Sequence, residues 1–340
     1  MAKKVKLEDI AKALDISIVS VSKTLANKGG VSEETKKKIL QTAKEMGYIK
    51  EVKEKVGVGK KISVVISSRF FSDSSFYSNL YSALLTHLND EGYTTILEMI
   101  SYENERENYI PSSFNKETSG IIFIGEIYRS LIDKAIQSNK PFLFLDFYDP
   151  EYSDVVSVLS DSLVSSYLLT KHLIDTGAKN IVYVGSINAT SSIMDRYLGY
   201  CKAMEKSGLG HFISYIEDRD DDGDFVELSL PNTIPDAYFC NCDEVAFRLI
   251  QKLRDLGYLV PNNVQVCGFD DSLISRLSSI KISTAHVDMD SMAEMATAII
   301  SKLINNKNVA KQRTLVPCEI ILRDSTKWKR IKKWILIQMK

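Results

Sequence analysis

Long hydrophobic runs are missing from this 340-residue chain. No stretch approaches the roughly 18 to 20 consecutive apolar residues that a membrane helix needs, so no membrane partner is expected. The basic start, Met1 to Lys6, leads into Leu7-Glu8-Asp9-Ile10 instead of a secretory core, which predicts a cytoplasmic protein. Cysteine is scarce. Cys201, Cys240, Cys242, Cys267 and Cys318 are too few and too scattered for a disulfide scaffold and suit a reducing compartment. With only 7 prolines and 16 glycines, collagen-like and low-complexity classes are excluded. The four histidines, His87, His172, His211 and His286, form no cluster, and HExxH, GxSxG, GxGxxG and Walker signatures are all lacking. No catalytic residue, metal or cofactor is therefore expected. Asp218 to Asp224 reproduces the first half of a calcium loop, but Ser229 stands where its bidentate glutamate belongs and Pro231 blocks an exit helix, so it reads as an exposed acidic turn. Cys240 and Cys242 lack the spacing of a zinc pair and read as buried thiols on one strand face.

What is present is a foldable composition, 44% apolar and 26% charged, in a chain long enough for two or three packed units. The net charge of −1 conceals a split. Residues 1 to 61 carry 15 lysines, no arginine and 8 acids, a balance of +7, which leaves −8 on the remainder. A basic head on an acidic body is the footprint of a polyanion-binding module; a lysine-rich solvated face is the alternative.

Local pattern favours the first. Leu7, Ile10, Ala11 and Leu14 repeat at helical spacing, Asp15-Ile16 interrupts, and a second helix follows with Ser17 as N-cap and Ile18, Val21 and Leu25 recurring. Asn27 to Gly30 breaks the chain, and Ser32-Glu33-Glu34 opens a third helix running to about Gly47. Two short helices joined by a tight turn, with a third closing a small core, make a helix-turn-helix unit. Asp9-Ile10-Ala11, Val21-Ser22-Lys23, Val31-Ser32-Glu33 and Gly47-Tyr48 closely resemble the DNA-binding head of the lac repressor and galactose repressor (LacI/GalR) family. The resemblance implies that Ser17, Ile18, Val19, Ser22 and Lys23 face the major groove. Val19 stands where the family usually has a polar residue and could read only a thymine methyl, and Lys23 lacks the arginine fork suited to guanine. The family's next segment is a hinge that inserts a leucine into the minor groove. Here it reads Lys50 to Lys61, with Gly57 near the leucine's place, so a flexible charged linker and a hinge both remain open.

From Ile62 onward, β-rich runs alternate with amphipathic segments: 62–67, 94–100, 120–125, 141–147, 155–160, 180–185, 211–216, 236–240 and 264–270, with helices over 80–91, 162–176, 197–207 and 243–257. That alternation predicts parallel sheets covered by helices, housed in two lobes with a cleft between them. The body resembles the same family's effector core, which is similar to periplasmic sugar-binding proteins. Marker segments are 171–185, 196–204, 239–247, 253–272 and 322–326. The resemblance implies lobe one over 62–160 plus 288–311, and cleft residues Phe76, Tyr77, Asp161, Arg196 and Asp270. Aromatic faces stack on rings, carboxylates accept from hydroxyls, and an arginine donates to paired oxygens. Core filling by Phe76 and Tyr77, loop capping by Asp161 and Asp270, and a surface ion pair at Arg196 are the bland alternatives.

The expectation is an α/β protein: a helix-turn-helix head over 1–49, a hinge or linker over 50–61, a two-lobed parallel-sheet core over 62–326 that binds effector and dimerises, and a basic-aromatic tail over 327–340, read as a packed helix. The function expected is a dimeric transcription regulator, a repressor in most of the family. Its partners would be a palindromic double-stranded DNA operator and a small-molecule effector, a sugar or else a nucleobase. Rival readings are a sugar-binding protein without gene control and a sugar-modifying enzyme.

Overall fold

The computed structural model describes residues 5–25, 31–46, 48, 56–71, 75–101, 103–104, 109–114, 117–220 and 223–328. The chain divides into two compact units between Val56 and Gly57.

In the first unit, α1 (Leu7–Leu14), α2 (Ile18–Leu25) and α3 (Glu33–Glu45) form the expected three-helix head. Asp15 ends α1 by turning left-handed (φ 53°), and the Ile16 amide returns to the Ala11 carbonyl at 3.0 Å. Ser17 and Ser32 accept from the amides of Ser20 and Thr35 at 3.1 and 3.2 Å, starting α2 and α3. Ile10, Ala11, Val21, Ile39 and Ala43 are buried together, with Leu14, Ile16 and Leu25 around them. Asn27 to Gly30, read above as a chain break, and Gly47, read as the end of the third helix, lie outside the described residues, as do residues 50–55 of the linker.

The end of that linker belongs to the second unit. The Gly57 amide donates to the Glu91 carbonyl at 2.9 Å, and a Cβ at Gly57 would stand 2.5 Å from Tyr93 Cγ. The position read as lacking a groove-inserting leucine is therefore a packed contact, where a leucine would collide with Tyr93.

The second unit holds two parallel sheets. β1 (Lys61–Ser67), β2 (Thr94–Ile100), β3 (Thr118–Ile124), β4 (Phe142–Leu145), β5 (Ser157–Ser160) and β11 (Arg313–Val316) form the first, in the order β11-β5-β4-β3-β1-β2. Its central strands are continuous apolar runs because both faces are covered. Ile62, Val64 and Ile66 pack with Leu80 and Leu84 of α5 (Ser75–Asp90), while Val65 joins Leu131 and Ile132 of α6 (Arg129–Gln137) on the opposite face. The short α4 (Ser68–Phe71) leaves the end of β1. β6 (Ile181–Val184), β7 (Tyr215–Ile216), β8 (Ala237–Cys240) and β9 (Gln265–Cys267) form the second sheet, in the order β7-β6-β8-β9. Here α7 (Ser162–Asp175) and α8 (Ser191–Lys206) lie so close that a Cβ at Gly199 would come within 2.3 Å of the Leu163 carbonyl. On the other face Leu249 and Leu253 of α9 (Asp243–Asp255) meet Val182, Tyr238 and Val266.

The remaining elements are α10 (Leu273–Leu277), α11 (Met289–Ile304), and the antiparallel pair β10 (Thr284–His286) and β12 (Glu319–Ile321). These last strands, β11, α6 and α11 were not among the elements read from the sequence. Because β11 pairs in parallel with β5, the segment returning to lobe one continues through Val316 instead of stopping at 311. The chain then returns to lobe two, where the Ser325 hydroxyl donates to the Val266 carbonyl at 2.6 Å. Trp328 is exposed. The helix expected in the tail falls on 329–340, outside the described residues. No described helix is long and apolar enough to cross a membrane.

Candidate functional site

On the head, the five residues expected to face DNA share one exposed surface. Ser17, Ile18, Val19, Ser22 and Lys23 are all exposed at the start and along one side of α2, whereas Val21 and Thr24 on the other side are buried. Ile18 and Val19 are 46% and 60% exposed, an apolar pair that the head's own core leaves uncovered.

In the body, a cavity of about 660 Å³ opens beyond the carboxyl ends of strands from both sheets, where α/β folds bind ligands. Of the five expected cleft residues it gathers four: Phe76, Tyr77, Arg196 and Asp270. Phe76 and Tyr77 enter from the first turn of α5 and meet edge to face at 5.1 Å. Both also belong to the main apolar core, so core filling and cavity lining hold together. Arg196 interrupts the buried stripe Ile193, Tyr200, Ala203 of α8, which opens on the Thr190 cap. Its Nη2 lies 3.1 Å from Asp270, its Nη1 donates to the Asn241 carbonyl at 2.5 Å, and its face covers the Phe269 ring at 4.0 Å. It is 5% exposed, which removes the surface ion pair as an explanation.

Asp161 is the exception. It caps α7, accepting from the Val164 amide at 3.3 Å, and is absent from the cavity wall. A carboxylate one residue beyond a strand serves equally well as a cap or a ligand group, and here the following helix claims it.

Asp146 stands where the sequence reading expected no site residue. It follows β4, is 2% exposed, and accepts from the Tyr77 hydroxyl at 3.1 Å. Its backbone, like that of Asp270, lies in the left-handed region, at φ 59° and 101° respectively. Non-glycine residues hold that conformation at a cost of about 1 kcal/mol or more, and such strain gathers at binding sites. The available signal, an aspartate closing the apolar run Phe142 to Leu145, is one that Asp161 after its own strand shares. Glu126, beyond β3, also lines the wall and accepts from the Ser191 amide at 2.9 Å. The acidic turn needs correction too, because Asp218 is buried and accepts from the Ser186 amide and Asn241 Nδ2 at 2.7 and 3.0 Å. Asp221 and Asp222 lie outside the described residues.

Burial governs the electrostatics. It pushes Asp146 up to about 7 against the pull of Arg196, and, helped by Asp270, pushes Asp243 up to about 8. Burial also raises Asp270, while Arg196 and Arg219 draw it down. Burial opposes the Arg196 charge, but Asp270 and Asp146 outweigh it and leave its pKa above the ordinary value. Cys240 is fully buried, as expected, whereas Cys242 lines the cavity at the start of α9. Burial raises the Cys242 thiol to about 12, which leaves it a neutral, weak nucleophile. Asp146 Oδ1, Arg196 Nε and Asn241 Oδ1 are buried and find no hydrogen-bond partner among the described residues. Such orphaned groups are costly unless a ligand or water satisfies them. Among the described residues no cluster of metal-ligating side chains is present.

Two family descriptions match: bacterial regulatory proteins of the lacI family over residues 6–60, and the periplasmic binding protein-like domain over 170–326. The HTH-type transcriptional repressor PurR of Pasteurella multocida is 26% identical, the alignment covering 94% of this chain and 98% of the relative. Catabolite control protein A of Priestia megaterium is 26% identical over 95% of this chain and 99% of its own length. Among solved structures, the transcriptional regulator CelR–cellobiose complex superposes with a TM-score of 0.67 at 19% identity, covering 94% of this chain and 99% of that one. The lac repressor dimer bound to operator and the anti-inducer ONPF gives 0.66 at 19% identity, over 95% and 99%.

Proposed function

We propose, from the premise that this chain belongs to the LacI family of bacterial regulatory proteins and is a ligand-responsive DNA-binding transcription regulator, that it represses its genes as a dimer on a palindromic operator and answers to a polyhydroxylated small molecule. Residues 1–49 would bind DNA, 50–61 connect, and 62–326 bind effector and dimerise. A gene regulator acts where the DNA is, which places it in the cytoplasm.

One observation carries the effector reading: a polar cavity holding the Arg196–Asp270 pair, the Asp146 carboxylate and two aromatic edges. Arginine donors and carboxylate acceptors side by side suit vicinal hydroxyls, and the rings supply a stacking face. Solved structures of similar fold hold cellobiose, D-xylulofuranose and ribose in those proteins, which is in keeping with a sugar here, a nucleobase being the second reading. Two half-sites are required because one short recognition helix reads too few base pairs for selectivity.

The test is retardation of genomic fragments by the intact protein, followed by ligand-library thermal shift. Operator affinity should fall about a thousandfold between 50 and 200 mM salt if six or so phosphates are neutralised per dimer. A salt-independent affinity, or equal affinity for an isolated half-site, would refute the dimeric operator reading.

A further inference from the structure

The cavity floor holds more carboxylate than cation. The buried Asp146 and Asp243 and the nearly buried Asp270 line one wall with Arg196, whose two terminal nitrogens and ring-facing surface are already engaged by Asp270, the Asn241 carbonyl and Phe269. Arg219, a half-buried arginine in the same wall, is drawn to the buried Asp218 at 3.7 Å and stacks on Phe225. Asp146, Asp243 and Asp270 each keep a buried Oδ1 without a hydrogen-bond partner among the described residues, and of the three Asp146 is the one bonded to the Tyr77 hydroxyl of the aromatic wall. One of its oxygens takes the Tyr77 hydroxyl, and the other, Oδ1, has no hydrogen-bond partner among the described residues.

We propose that the effector carries a protonated amine on a polyhydroxylated frame, in the simplest case an amino sugar with a free amine, whose ammonium seats against Asp146 Oδ1 while its hydroxyls meet Arg196 and Asp270. This rests on the reading of the cavity as the effector site and adds a charge to it. A buried carboxylate that shares its nearest cation with a second carboxylate and is not bonded to it has two ways to lower its energy: it takes a proton, or it takes a cation from the ligand. Burial has already brought Asp146 to about 7, so near neutral pH the proton is weakly held and an ammonium can replace it. A neutral polyol would leave the surplus uncompensated, and an anionic ligand would add to it. The Phe76 and Tyr77 rings in the same wall also favour a cation over an anion.

The experiment uses the full chain and matched probes near neutral pH: glucosamine, N-acetylglucosamine, glucose and glucose 6-phosphate, with the corresponding galactose series, compared by calorimetry and thermal shift. The amine of at least one series should bind about tenfold or more tighter than its N-acetyl, neutral and phosphorylated counterparts. Asp146→Asn should bring the amine and the neutral parent within about threefold of each other. If that variant does not fold, the order among the probes on the unmodified protein decides alone. A neutral or phosphorylated probe that binds as tightly as the amine overturns the cation assignment and leaves the cleft as a sugar site. A protein that binds operator but none of the probes overturns both.

Discussion

The head and the body work by opposite arrangements. On the head every residue assigned to DNA is exposed, and the core beneath is five buried apolar side chains with Thr24 the buried polar one among the described residues. In the body the assigned residues are buried, strained or both, and charged groups sit where apolar ones would pack better. A surface that meets a polyanion needs charge and shape but little burial. A cavity that selects a small ligand has to desolvate its polar groups before the ligand arrives, and that is why their pKa values move.

That contrast can be broken at either end. The largest effect should come from Val21→Asp, which buries an unpaired carboxylate in a core of five residues, at a cost of about 3 kcal/mol or more. Operator binding should disappear while effector binding persists, as band retardation and calorimetry on one preparation would reveal. Operator affinity within a few-fold of normal would mean that the head tolerates what its packing forbids.

Arg196→Ala and Asp270→Ala make the converse experiment. Each leaves a buried partner unsatisfied, so effector affinity should drop by about 2 to 4 kcal/mol, roughly 30- to 1,000-fold. Operator binding should continue, now without response to effector. Normal induction in both variants would show that the cavity is not the effector site.

A third effect separates the units by pH. Folded Asp146 and Asp243 hold their protons up to about 7 and about 8, whereas in the unfolded chain both release them near the ordinary carboxylate value of about 4. The folded body therefore binds more protons over that interval, and its stability is greatest at the acid end and declines as pH rises toward 8. Scanning calorimetry without ligand should show the body's transition falling by at least about 2 °C between pH 5 and pH 8. A transition that rises over this range would contradict the burial of these carboxyls.

The smallest effect is expected at Asp161→Ala. Loss of one helix cap costs about 1 kcal/mol and should leave effector affinity unchanged. A tenfold loss of affinity would restore Asp161 to the binding site, against its placement as the cap of α7.

The residues expected to face the groove came only from the family resemblance, whereas periodicity and charge alone made the three-helix head and the alternation of parallel strands with helices legible. These are local properties: the spacing of Leu7, Ile10, Ala11 and Leu14 selects a helix in any context, and a fully apolar run such as Phe142 to Leu145 calls for cover on both faces. Arg196 and Asp270 were recognisable by resemblance, but their pairing joins residues 74 positions apart and exists only once α8 packs against the second sheet. Asp146 and Asp161 show where local reading stops. Each is an aspartate just after a strand, and nothing in its neighbours says which one caps a helix and which one closes a cavity. Gly57 is the same lesson in reverse, a small residue that looked like a missing wedge until Tyr93 was found against it. Which carboxylate is buried, which cation it shares and which backbone is strained to aim it follow from non-local packing, because desolvation belongs to the assembled surroundings of a group and not to its place in the chain.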